Sequence, residues 1–301
     1  MESIKSSELQ VVISPAGAEM QSICDVKTER EYFWQGDPKY WGGRSPILFP
    51  IVGGMWNGEC RIEGKTYRIP KHGFVRLREW EVISREENTV TFACESIPEE
   101  LEVYPFKYRV EAKFSVVGRK VEVAYTVFNL DDKKMWFQLG GHPAFILPDF
   151  KEGTPISGYL KFEGDVHSLV RAGEQGCIEM ERAGRPQRYP IPWSNKDKDL
   201  VNVCVDTFAN EALIFDQHQL KAATLLDTTA DAPKPIARVE STAPAWLFWA
   251  PQGVHSPFVC IEPWYGLCDD QHFAGDINER SYINHLEPGE IWQGGYSIDI
   301  F

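Results

Sequence analysis

The sequence is short of positive charge: 31 Lys and Arg stand against 44 Asp and Glu, a formal charge of −13. A chain so charged repels phosphate backbones and anionic bilayers, so neither nucleic acid nor a membrane surface is an expected partner. Long hydrophobic runs are missing as well, none approaching the ~18–20 apolar residues that span a bilayer. The segment MESIKSSELQ lacks the apolar stretch of a secretory signal, and no Asn-x-Ser/Thr acceptor occurs. The expected location is therefore cytoplasmic. Seven cysteines (Cys24, Cys60, Cys94, Cys177, Cys204, Cys260 and Cys268) form no CxxC, and runs such as Val203-Cys204-Val205 read as reduced core thiols rather than a disulfide framework. There is no GxSxG elbow, no GxxxxGK[ST] loop, no GxGxxG opening a helix and no HxH or HExxH pair. Serine hydrolases of the elbow type, P-loop enzymes and dinucleotide oxidoreductases drop out.

What is present is β-patterning. Over residues 106–116, Phe106, Tyr108, Val110, Ala112, Phe114 and Val116 alternate with Lys107, Arg109, Glu111, Lys113 and Ser115, as in a strand with one buried face. Beyond a turn at Val117-Gly118-Arg119, Val121, Val123, Tyr125 and Val127 repeat the pattern, which predicts an antiparallel hairpin. Short runs rich in β-branched and aromatic residues recur at 9–13, 67–69, 79–83, 89–94, 212–215, 222–226, 245–250, 258–262 and 292–300. Helical periodicity is confined to one turn over 98–102, where Ser96 and Glu99 have capping-box spacing. The polar stretch 171–199 reads as a long connection between sheets. The fold expected is all-β, a large antiparallel β-sandwich with few short helices, as a single domain over residues 1–301.

Three segments interrupt the strands with ionisable groups in apolar or glycine-rich settings. They are Pro70-Lys71-His72-Gly73-Phe74-Val75-Arg76, Gly140-Gly141-His142-Pro143-Ala144-Phe145 and Cys260-Ile261-Glu262-Pro263-Trp264-Tyr265-Gly266. Glu262 closes the apolar run 258–261, where burial raises a carboxyl toward neutrality and fits it for general-base work. A strand-end carboxylate in a salt bridge with an Arg reads equally well. His72 and His142 have the bland alternative of a ring bonded to a loop carbonyl. With Glu262 they also make a His₂Glu ligand set that Zn²⁺ accepts, although they lie 70 and then 120 residues apart. A glycosidase-type carboxyl pair of Glu262 with Asp269 or Asp270 is the further option, those aspartates reading as solvated beside a glycine turn.

At these residues the chain resembles the aldose 1-epimerase (galactose mutarotase-like) family, most closely its LacX-like branch. The matching segments are Arg44-Ser45-Pro46-Ile47-Leu48-Phe49-Pro50, His72-Gly73-Phe74-Val75-Arg76, Gly140 to Phe145, and Glu262-Pro263-Trp264-Tyr265-Gly266, in the family's order. The resemblance implies the β-sandwich already read and interconversion of the α and β anomers of a hexose without cofactor or metal. It implies Glu262 as general base, His142 as acid at the ring oxygen and His72 as a second histidine beside it. Arg44 falls at a sugar-contacting arginine of the family, with Arg76 and Trp264 as further substrate contacts. Where relatives carry Asp before Ala-Leu-Ile-Phe this chain has Glu211, which leaves sugar preference open; Asp206 and Asp216 are nearby alternatives. The two glycines before His142 are expected to let a sugar ring approach the backbone.

The leading expectation is thus a mutarotase acting on a small-molecule sugar, a hexose or hexose phosphate, as monomer or homodimer. Lys71, Arg44, Arg76 and Arg78 are the cations available to a phosphate. The alternatives are a non-catalytic sugar-binding or regulatory protein using the same cleft, and a metal-dependent, cupin-like enzyme.

Overall fold

A computed structural model describes residues 1–195, 197–229 and 232–301. Two large antiparallel sheets share its main apolar core. The nine-stranded sheet runs in the order Leu200–Val203, Gly158–Gly164, Leu220–Leu226, Pro235–Glu240, Ile291–Ile300, Lys120–Asn129, Tyr108–Val117, Thr89–Glu95, Glu81–Arg85. The six-stranded sheet runs Ala212–Phe215, Ala245–Trp249, Phe258–Tyr265, Leu139–Gly141, Ile47–Leu48, with Ala144–Ile146 also paired to Phe258–Tyr265. A three-stranded sheet of Glu2–Lys5, Leu9–Ser14 and Glu19–Asp25 completes the larger elements. Among the described residues no helix is long and apolar enough to cross a membrane.

The alternating hairpin forms as its pattern requires. Val117 and Lys120 face each other across a two-residue loop in which Gly118 takes φ +55°. Tyr108, Val110, Phe114, Val121, Val123, Tyr125 and Val127 are buried on one face. Each large side chain so buried contributes about 1.5–3 kcal/mol.

Two expectations are corrected here. The single-turn helix spans Pro98–Leu101, but its cap is one residue later than the spacing predicts. Glu100 accepts the N–H of Ile97 (3.3 Å), while Ser96 Oγ accepts the N–H of Tyr108 (3.3 Å). Segment 171–199 joins Gly158–Gly164 to Leu200–Val203, which are neighbours in one sheet, so it does not connect two sheets. Its Ala172 and Ile178 instead pack with Ile214, Leu247 and Trp264 of the six-stranded sheet, and Ile178 is tied to the loop beyond that sheet's strand Phe258–Tyr265, its N–H donating to Asp269 O (2.8 Å) and its O accepting the Gln271 N–H (2.9 Å). The seven cysteines are free thiols; five are buried, and Cys24 and Cys204 are partly exposed.

The strand Phe258–Tyr265 is buried on both faces. Val259 and Ile261 enter the main core, together with Leu139, Trp246 and Phe248 of neighbouring strands. The opposite face carries Cys260, Glu262 and Trp264, and above it lies a cavity.

Candidate active site

The register of the six-stranded sheet builds the site. Gly140 pairs with Trp264, and Ala144 pairs with Cys260. These are one and the same antiparallel register, interrupted over Gly141-His142-Pro143, and continuing it places His142 directly opposite Glu262. Ile261 N–H donates to Pro143 O (3.0 Å), so the backbone stays tied through the interruption. Opposed side chains on one face of an antiparallel pair stand about 5 Å apart at Cβ. Accordingly His142 Nε2 lies 3.3 Å from Glu262 Oε2. On the other side Glu262 faces Leu247. Glu262 therefore sits within a strand, not at its end, and among the described residues no arginine pairs with it; its other partner is the Trp264 Nε1–H, which donates to Oε2 (3.2 Å).

His72 is positioned by the loop rather than by a strand. It takes φ +67° and Gly73 takes φ +68°. A Cβ at Gly73 would stand 1.9 Å from Phe49 O, so only glycine fits behind the histidine. His72 N–H donates to Gly53 O (3.0 Å) and Gly53 N–H donates to His72 Nδ1 (3.1 Å). That reciprocal pair makes Nδ1 an acceptor, so the neutral ring carries its proton on Nε2. An imidazolium would lose the Gly53 contact. Burial, with His142 and Lys71 nearby, also holds the His72 ring well below the ordinary histidine value.

The same physics acts on the opposed pair. Glu262 is 1% exposed and His142 8%. Burial pushes the Glu262 carboxyl well above the usual carboxylate range, against the partial offset of the Trp264 hydrogen bond. Burial pushes the His142 imidazole down to about 3. The free pair thus holds one proton, on the carboxyl, shared across 3.3 Å.

A cavity of about 260 Å³ stands over these groups, lined among others by Trp41, Lys71, His72, Arg76, His142, Glu211, Leu247, Trp249, Glu262 and Trp264. Small-molecule pockets begin at roughly 300 Å³, so this one suits a ligand about the size of a single sugar ring. Glu211, at φ +72°, forms an ion pair with Lys71 across the mouth (3.3 Å), both side chains partly exposed. Arg76 donates from Nη2 to Lys71 O (3.2 Å), and its buried Nε has no partner among the described residues.

Of the residues singled out in the sequence, Glu262, His142, His72, Arg76, Glu211 and Trp264 line this cavity together. Arg44 does not; its Nη1 donates to Gln21 O (3.2 Å). Asp206 lies in the turn Asp206–Phe208, and Asp216 is buried in a bidentate pair with Arg188, so neither lines the cavity. The aspartates after the glycine turn are not solvated. Asp269 is buried and bound to Arg280 Nε (2.6 Å), and Asp270 is half-buried, which with Asp269 and Asp216 nearby raises its carboxyl. Among the described residues the cluster with ligating atoms within 4.8 Å of one another is His142, Cys260 and Glu262, so Cys260 stands where a His₂Glu set would need His72.

The glycines before His142 serve the protein, not a ligand. A Cβ at Gly140 would come 2.7 Å from Trp264 Cδ1, and one at Gly141 would come 2.5 Å from Tyr296 Cε1. Gly140 lets the Trp264 indole reach Glu262, and Gly141 makes room on the opposite face.

Sequence reasoning missed the aromatic wall. Trp41 stacks on the His142 ring (centroids 4.8 Å, planes 27° apart), and Trp249 meets the same ring edge-on at 5.9 Å. The available signal was a tryptophan followed by Gly42-Gly43, three residues before Arg44.

A family model described as Aldose 1-epimerase matches residues 2–299. The chain is 28% identical over 306 residues to the chromosomal protein LacX of Lactococcus lactis subsp. lactis, covering 99% of this chain and 98% of that one. A galactose mutarotase related enzyme from Lactobacillus acidophilus superposes with a TM-score of 0.87 at 29% identity, covering 100% of this chain and 97% of that chain. A galactose mutarotase-like protein from Lactobacillus casei gives 0.88 at 26% identity over the full length of both. With the family's segments in order, its sandwich beneath them and its match running almost end to end, this chain belongs to the aldose 1-epimerase family.

Proposed function

We propose that this chain is a cofactor-independent aldose 1-epimerase that interconverts the α and β anomers of a hexose. The observation that carries the reading is the opposed Glu262–His142 pair, which holds one proton between two groups in contact at the floor of a cavity of sugar size.

Ring opening uses the pair as Glu262 carboxylate and His142 imidazolium. The carboxylate takes the proton of the C1 hydroxyl, the imidazolium gives one to the ring oxygen, and the C1–O bond breaks. The sugar is then an open aldehyde, and the pair is left as neutral carboxyl and neutral imidazole. That is the form burial favours in the free protein. Rotation about C1–C2 presents the other face, His142 recovers the proton of the ring hydroxyl, and Glu262 returns its own to the C1 oxygen. Protons balance over the cycle, and direct exchange within the pair resets it without solvent. His72, fixed as an Nε2–H donor, supports the ring oxygen or a neighbouring hydroxyl. Arg76, Lys71 and Glu211 supply hydroxyl contacts at the mouth, and Trp264 offers an apolar edge.

Polarimetry of freshly dissolved α-glucose and α-galactose tests this, with Glu262→Gln as control. Acceleration by wild type that is lost in the variant is expected. If neither accelerates any sugar of a panel, the enzyme reading fails; tight sugar binding by calorimetry would then favour a non-catalytic binding protein.

A further inference from the structure

We infer that Trp41 is a positioning residue for the acid: its indole face, laid on the His142 ring, stabilises the imidazolium that the ring-opening step requires. The inference rests on the mutarotase reading for its catalytic meaning, and on geometry alone for the coupling itself.

Apart from the Glu262 carboxylate, the cation this step needs has little support around it. His142 is buried, which disfavours its charged form. Lys71 and Arg76, from the loop beside it, disfavour it further. His72 stands edge-on at 5.8 Å as a neutral ring. From the strand opposite come Cys260, held as a neutral thiol by burial, and Glu262, whose carboxylate favours the cation. Glu211 is engaged by Lys71. Trp249 approaches at a 72° angle, whereas Trp41 lies nearly parallel at 27° and 4.8 Å. Indole gives the strongest cation–π attraction of the aromatic side chains, and more so away from water.

The loop is built to hold that face in place. Tyr40 and Trp41 both donate their N–H to Asp37 O (3.0 Å each), and Trp41 O accepts the Trp34 indole N–H (2.8 Å). Phe258 stacks beside the Trp41 ring at 5.8 Å. Gly43 leaves the space: a Cβ there would stand 2.5 Å from Trp41 Cζ2. Any other residue at position 43 pushes the indole from its seat.

The test compares wild type with Trp41→Phe, Trp41→Leu and Gly43→Ala by polarimetry from about pH 2.5 to 8.5, a range that takes in the His142 titration. Losing a desolvated cation–π contact predicts that kcat falls roughly ten- to thirtyfold in Trp41→Leu, and about threefold in Trp41→Phe, with KM nearly constant. The acid limb of the profile moves to lower pH while the alkaline limb stays, and Gly43→Ala, which keeps the indole but displaces it, behaves like Trp41→Leu. An unmoved acid limb, or a loss confined to KM, overturns the inference, because it would mean that Trp41 only packs or only holds sugar. Nitrogen-15 NMR of His142 reads the same coupling without turnover. Its imidazolium should appear at lower pH in Trp41→Leu than in wild type, and coincident titrations refute the coupling. Wild-type inactivity with that NMR difference intact refutes the mutarotase reading and leaves the coupling standing.

Discussion

Replacing Glu262 with Gln separates the chemistry of the site from its contribution to the fold. The amide is isosteric with the carboxyl that burial favours. Both contacts of the carboxyl fall on Oε2, so an amide oxygen placed there can accept the Trp264 indole N–H (3.2 Å) and the Nε2–H of a neutral His142 ring (3.3 Å). Only proton exchange is removed. Loss of a positioned general base lowers kcat by about 10²–10⁴, or about 3–5 kcal/mol of barrier at 1.36 kcal/mol per decade. Stability should move the other way. A carboxyl held above its unfolded value of 4.5 keeps its proton in the folded state while the unfolded chain loses it, so stability falls as pH rises from 4.5 toward the folded value. Glutamine has no such loss. Its advantage should vanish near pH 4 and grow to no more than about 3 kcal/mol at pH 7, the span from 4.5 at 1.36 kcal/mol per unit. Polarimetry gives the first quantity, and urea unfolding at pH 4.5 and 7 gives the second. A variant within threefold of wild-type kcat, or one less stable than wild type at pH 7, refutes the reasoning.

Asp269→Ala strands a buried guanidinium, since both partners of the Asp269–Arg280 pair are 2% exposed; this costs about 3–5 kcal/mol. With an unfolding entropy near 2.1 cal/mol/K per residue, that loss lowers Tm by about 5–8 °C, a shift that calorimetry resolves and that a change under 1 °C would contradict. Gly141→Ala drives a methyl into Tyr296 and should destabilise by about 1–3 kcal/mol, while KM for sugar stays unchanged; a selective loss of sugar affinity would return Gly141 to the cavity. His142, whose folded value of about 3 lies below its unfolded 6.5, takes up its proton later than the unfolded chain does as pH falls. Stability should therefore decline between about pH 6.5 and 3, and His142→Gln should flatten that part of the denaturation profile.

The hairpin was legible because its information is local: alternation over ten residues fixes which face is buried, and Gly118 fixes the turn. The strand carrying Glu262 was legible only as far as Glu262, because Pro263 reads as a strand terminator. It continues to Tyr265 in the structure, with Pro263 opposite Trp246. The ionisable residues drew notice through their unusual settings, yet nothing local says that His142 faces Glu262 across 120 positions of sequence. That fact belongs to sheet register. Asp269 was misread for the same reason, its partner Arg280 being supplied by a turn 11 residues further on. Arg44 sits in a matching motif, but its side chain turns to Gln21 O. Trp41 has no periodicity around it to mark it; its importance comes from the ring it covers.

Phe258–Tyr265 has two buried faces of opposite chemistry, and this makes the site a gauge of correct assembly. A slip of one residue against its neighbours would rotate every side chain to the other face. Glu262 would enter a core of Trp246, Phe248 and Leu139, while Val259 and Ile261 would emerge beneath the cavity. Such a misassembled sheet would be penalised by a stranded carboxyl as well as by lost packing. The Glu262–His142 pair and native pairing are therefore obtained together or not at all, and recovery of the proposed activity during refolding should report when this sheet has found its register.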